Sequence, residues 1–108
     1  MFNPVKVEDR GGHTVETFAD NPYFIARYHF MEPSQEAPIQ AAGTDHVSFY
    51  VLGGALIVTY FEPGSSKERR TALCVGTNFE IPAHAQFYIE TGSEQSAEFV
   101  EVRRGIIV

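Results

Sequence analysis

Apolar residues recur along this chain in short runs, either alternating with polar ones or unbroken, and Gly, Pro, Asn and Asp punctuate them. No stretch holds an apolar stripe at helical spacing over three turns, so the pattern predicts an all-β chain. Eight strands are expected: HTVETF (13–18), YFIARYHFM (23–31), HVSFYVL (46–52), ALIVTYF (55–61), RTALC (70–74), FEI (79–81), QFYIET (86–91) and AEFVEVR (97–103). That many short strands suit a closed or nearly closed double-sheet barrel, which leaves no long free edge.

The punctuation predicts the connections. Gly53-Gly54, between two apolar runs, reads as a two-residue hairpin turn, because positive φ costs glycine little. EPGSSKE (62–68) makes a looser turn starting at Pro63-Gly64, and MEPSQEAPIQAAGTD (31–45) reads as a long connection across one end of the barrel. Within 23–31 the bulky set Phe24, Ala26, Tyr28 and Phe30 is expected on the core face, leaving Arg27 and His29 outside. Tyr23, Tyr60, Phe61 and Tyr88 add more aromatic surface than a small barrel needs inside, which points to an interface.

Composition narrows the classes. The 108 residues, 44% of them apolar, build one core, so residues 1–108 are expected to be a single domain. A formal charge of −6 with no basic run argues against nucleic-acid binding; Lys67, Arg69 and Arg70 cluster only after a turn and read as a solvated loop. The single cysteine, Cys74, leaves no intrachain disulfide; the expectation is a core thiol and a reduced cytoplasmic setting. MFNPVKVEDRGG at the start has no apolar leader and no run reaches the length of a membrane span, so a soluble cytoplasmic protein without membrane partners is expected.

Two segments carry a resemblance. DHVSFYVLGGALIVTYFEPG (45–64) resembles the strand pair of the first motif of the cupin superfamily, G-x5-H-x-H-x3,4-E-x6-G. GTNFEIPAHAQFYIET (76–91) resembles the second, G-x5-P-x-G-x2-H-x3-N, with Gly76 and Pro82 in place. The likeness covers about residues 40–103 and implies a cupin-type jelly-roll barrel. Carried over position by position, the second motif's glycine falls on His84, its histidine on Phe87 and its asparagine on Thr91. The first motif's glutamate falls on Val47, and its histidines among Gln40, Ala41, Ala42 and Gly43. A metal needs three or four N, O or S donors at about 2 Å, so no metal and no other cofactor is expected. Val47, Phe49, Val51, Phe87 and Ile89 would share the inward face, as the lining of an apolar ligand pocket.

The chain is also similar to the small pyrimidine/purine nucleoside phosphorylase cupins, through HTVETFAD, GGALIV and the positions of Gly76, Phe79, Pro82, Phe87 and Ile89. Where that family carries a Glu-Arg-Met-Glu-like run, this chain has GTDHVSFY. A third likeness is to the dimerisation cupin of centromere protein C, with its F-x-V-P-x-x-N-x-Y-x-I pattern, although a chain of one short domain is an unexpected setting for it.

The polar residues leave alternatives open. His84, just past Pro82, is either a titratable group at the barrel mouth or a turn histidine. His46 faces solvent or a partner, unless a bulge turns it inward. Arg27 and His29 form an outer-face pair or an anion site, and Arg70 is a further anion-binding candidate. The expectation is a homodimeric, metal-independent cupin binding a small organic ligand. The alternatives are nucleoside phosphorolysis, with His84 and His46 as catalytic candidates, or dimerisation without a ligand.

Overall fold

The computed structural model describes residues 5–105. Among them the chain forms β1 (Lys6–Asp9), β2 (His13–Asp20), β3 (Phe24–Met31), β4 (Gln40–Ala41), β5 (Asp45–Phe61), β6 (Glu68–Cys74), β7 (Asn78–Ile81), β8 (Gln86–Glu90) and β9 (Ala97–Gly105), with every pairing antiparallel. Alternation drives them: β2 buries His13, Val15 and Thr17, while β9 buries Ala97, Phe99 and Glu101. One sheet runs β1-β2-β3-β9-β5-β7 and the other β4-β8-β5-β6, and they curl into an all-β half-barrel.

β5 belongs to both sheets, which corrects the hairpin expected at Gly53-Gly54. Its first part pairs with β9 and β7, and from Ala55 on it pairs with β6 and β8. The two apolar runs keep one direction because each finds partners in a different sheet. A register shift between Val51 and Gly53 marks the bend. Gly54 has φ 69°, and a Cβ there would lie 1.9 Å from the Ser96 carbonyl oxygen, so only glycine fits.

Other expectations shift as well. The 31–45 connection carries β4 and is stitched to the second sheet by Ala37 N–H to Ile89 O, 2.9 Å, and Ala42 N–H to Ala85 O, 2.9 Å. The charged stretch KVED, which lacks an apolar alternation, pairs as β1 on β2. Cys74 is exposed rather than packed.

Val47, Phe49, Val51, Phe87 and Ile89 point inward as members of the core, each 0 or 1% exposed. The Phe49 ring meets Phe87 and Phe99 edge-on at centroid distances of 5.8 and 5.7 Å. Burial of each such ring stabilises the fold by about 2 kcal/mol.

The faces of β3 are the reverse of those expected. Arg27, His29 and Met31 point in, and Phe24, Tyr28 and Phe30 point out, with Tyr28, Val100 of β9 and Tyr50 of β5 in one cross-strand row; Ala26 is buried, as expected. Size alone misleads here: the neighbouring strand offers Glu101 and Phe99 on its inner face, and the polar side chains of β3 pair with them. Of the aromatic residues expected at a surface, Tyr23 is exposed, Phe61 and Tyr88 are half-buried, and Tyr60 packs on Phe79 against the core.

Candidate functional site

The inner face of the first sheet carries polar side chains in register. Thr17, Arg27, Glu101 and Phe49 are successive cross-strand partners, and Val15, His29, Phe99 and Val51 form the next row. From these rows a hydrogen-bonded chain is built. His13 Nε2 lies 2.8 Å from His29 Nδ1, and His29 Nε2 lies 2.8 Å from Glu101 Oε1. Arg103 Nε donates to Glu101 Oε2 at 2.9 Å. Phe99 supports the chain from below, its ring stacked on His29 at 4.6 Å and 8°.

Burial makes the pairing obligatory. His13, His29 and Glu101 are each at most 5% exposed, and buried polar groups are retained only where they are hydrogen-bonded. Burial pushes the Glu101 carboxyl upward, but the His29 hydrogen bond and the Arg103 guanidinium overrule it and hold the pKa at about 2. Glu101 is therefore a carboxylate. A carboxylate only accepts, so His29 presents Nε2–H to it. The contact between the two imidazoles then needs one N–H and one lone pair, so the pair holds at most one extra proton. Burial, and next to it His29, push His13 down to about 4.

Arg103 closes the network on the far side. Its Nη2 donates to Gln40 Oε1 at 2.6 Å, its Nη1 to the Ala41 carbonyl at 3.4 Å, and its guanidinium carbon lies 5.6 Å from the Phe87 ring centroid. Val47 is its cross-strand partner, and Gln40 is the partner of Phe87. The positions to which the motif assigns metal ligands thus surround a guanidinium. Hydrocarbon, an aromatic ring and a fixed cation do not suit a metal ion. Among the described residues, no three His, Cys, Asp or Glu side chains come together to hold one. Thr91, at the asparagine position, donates to the Glu32 carbonyl at 2.6 Å and accepts from Gln35 N–H at 2.9 Å, fixing the 32–35 loop.

Beside the network lies a cavity of about 340 Å³, lined by Arg10, Arg27, His29, Pro38, Gln40 and Glu101. Arg27 Nη1 stands 3.7 Å from Glu101 Oε1. Arg10 is tied to Glu8 at 3.1 Å. The candidate pocket is therefore mixed polar and sits next to the apolar residues expected to line it.

The remaining candidates lie elsewhere. His84 is exposed with φ 68°, the left-handed conformation that the motif's glycine would adopt, and its N–H donates to Gly43 O at 2.6 Å. It lines a surface pocket with Phe61, Pro63 and Gln86. His46 stays on the outer face, its Nδ1 3.5 Å from Glu80. Arg70 pairs with Glu90 at 2.9 Å on the second sheet. The structure does not bring His84, His46 or Arg70 together with Arg27 and His29.

Sequence reasoning missed His13, Glu101, Arg103, Gln40 and Arg10. Phe99, Glu101 and Arg103 share one face of β9, and a carboxylate and guanidinium two residues apart beside a core phenylalanine was the available signal.

A scan against protein-family models finds no match, and no curated protein matches the chain in sequence. Solved structures do match. The Cnp3 cupin domain of Schizosaccharomyces pombe superposes with TM-score 0.78 at 16% identity, covering 94% of this chain and 69% of that one. The Drosophila melanogaster CENP-C structure bound to CAL1 gives TM-score 0.78 at 18% identity, over 91% and 78% of the two chains. An RmlC-like cupin from Shewanella frigidimarina gives TM-score 0.75 at 17% identity, over 94% and 84%.

Proposed function

Starting from a chain that has the cupin fold, we propose a metal-independent small cupin, homodimeric, that binds a small organic ligand in the cavity lined by Arg10, Arg27, His29, Pro38, Gln40 and Glu101. One observation carries this reading: a buried His-His-Glu-Arg network stands against that cavity. Replacing such a network by hydrocarbon is commonly neutral or stabilising, so stability alone gives little reason to keep it. A role for the polar groups at the cavity wall supplies one.

The test is elemental analysis of the purified protein, followed by thermal unfolding in EDTA across a metabolite panel. The expected outcome is less than one tenth of a metal ion per chain and saturable stabilisation by at least one compound; at 100 times its Kd, a ligand adds about 2.7 kcal/mol. One metal per chain would overturn metal independence. Including nucleosides with and without phosphate, and following free base, covers the phosphorylase alternative. Phosphate-dependent release would make the chain an enzyme.

A second reading, assembly without a ligand, is supported by the outer face of the first sheet, where Phe30, Tyr50 and Leu52 stay 38–45% exposed. Structures similar to this chain include that of Drosophila melanogaster CENP-C bound to CAL1. Dimeric protein that no panel member stabilises would favour this reading.

A further inference from the structure

The hydrogen-bonding capacity of the cavity is one-sided. Both ring nitrogens of His29 are spent, on His13 and on Glu101. Both Glu101 oxygens already accept, Oε1 from His29 and Oε2 from Arg103. The Gln40 carbonyl accepts from Arg103, and its amide NH2 has no acceptor among the described residues. Arg27 makes no hydrogen bond among the described residues, and its one ion pair is the 3.7 Å approach to Glu101. The wall therefore offers unengaged donors, Arg27 and the Gln40 amide, while its one carboxylate is already engaged by His29 and Arg103.

Charge points the same way. Arg27 and Arg10 line the cavity and Arg103 stands behind it, three cations against the lining carboxylate Glu101 and Glu8, the partner of Arg10. This local excess of cations stands out in a chain of net charge −6. A cationic ligand would meet repulsion there, and a neutral one would leave a fork of guanidinium donors unused.

Resting on the reading that this cavity is the ligand site, we infer that its ligand is a small organic oxyanion, a carboxylate or a phosphate monoester, anchored by Arg27 with Gln40 as a second donor and Arg10 at the rim. The guanidinium fork matches two oxygens of either group, and such charge-assisted bidentate pairs are stronger than neutral hydrogen bonds. Pro38 supplies an apolar wall for the organic remainder. Arg70, paired to Glu90 on the second sheet, has no part in it.

The experiment is calorimetric titration of the full chain with inorganic phosphate, acetate and benzoate, with sodium chloride at matched ionic strength and uridine as an uncharged comparator. Saturable binding of an oxyanion is expected, with no response to chloride. Arg27→Gln should weaken it about tenfold or more, Arg10→Gln about threefold, and Arg69→Gln, on the second sheet and paired with Glu62, not at all. Binding of phosphate alone, or of carboxylates alone, identifies the head group. Oxyanion affinity unchanged in Arg27→Gln overturns the assignment; if that variant fails to fold, unchanged affinity in Arg10→Gln does so. Binding of uridine with no response to any oxyanion overturns the oxyanion class and leaves the cavity as a ligand site. No binding of any probe overturns both.

Discussion

Glu101 and His13 show what burial does to a titratable group when partners are present and when they are few. Glu101 is held at about 2 by His29 and Arg103 against its own burial, whereas His13, with an imidazole as its neighbour, is pushed down to about 4 from 6.5. Between pH 6.5 and 4 the unfolded chain therefore binds more protons at residue 13 than the folded one. Stability rises with pH across that window and is lost as pH falls through it. Urea midpoints measured from pH 7 to 4 should drop, and His13→Gln, which keeps an N–H for His29, should flatten the drop. Equal slopes in the two proteins would show that His13 does not titrate this way. Glu101 adds a second loss in both proteins below 4.5, toward 2. Little of this was legible in the sequence. His29 and Arg27 stood out as residue types, but their direction followed from what β9 places opposite them, which one strand's alternation does not contain.

At the scale of elements, most strands were legible because alternation and turn residues are local signals, and the departures occur where partners decide. Gly53-Gly54 has the composition of a hairpin, yet it bends one strand from sheet to sheet, because the runs on either side pair elsewhere instead of with each other. The two readings make different demands on the two glycines. A hairpin turn would need both, whereas the bend needs only Gly54, where φ is 69° and the Ser96 carbonyl leaves no room for a Cβ. Gly54→Ala is thus expected to cost about 2–3 kcal/mol in denaturant unfolding. Gly53→Ala, whose Cβ would meet only the Glu98 side chain at 3.4 Å, should stay within about 0.5 kcal/mol. Comparable losses at both positions would argue against the bend. β4 was hidden for a related reason: two residues carry no period, and their strand character comes from Phe87 and Gln86 across the ladder.

For the whole molecule, the spacing of Gly76, Pro82 and the apolar runs around Gly54 was enough to indicate the architecture, since barrel closure constrains where turns fall. The aromatic residues on the outer face of β3 were not foreseen, because its core face was judged by bulk. The exposed stripe lies at Phe30, Tyr50 and Leu52. Sedimentation equilibrium is expected to give twice the 12.0 kDa chain mass, and Tyr50→Glu with Leu52→Glu to return the mass to one chain with the fold intact. A dimer that survives both changes would place the interface elsewhere. Across the barrel, Arg103 reaches from β9 to Gln40 and the Ala41 carbonyl of β4 and lies on Phe87 of β8, so a side chain ties the two sheets together at the place the motif reserves for an ion. A tie of that kind is synthesised with the chain. It cannot be stripped by a chelator or filled with the wrong element, and its formation depends on no supply from outside the polypeptide.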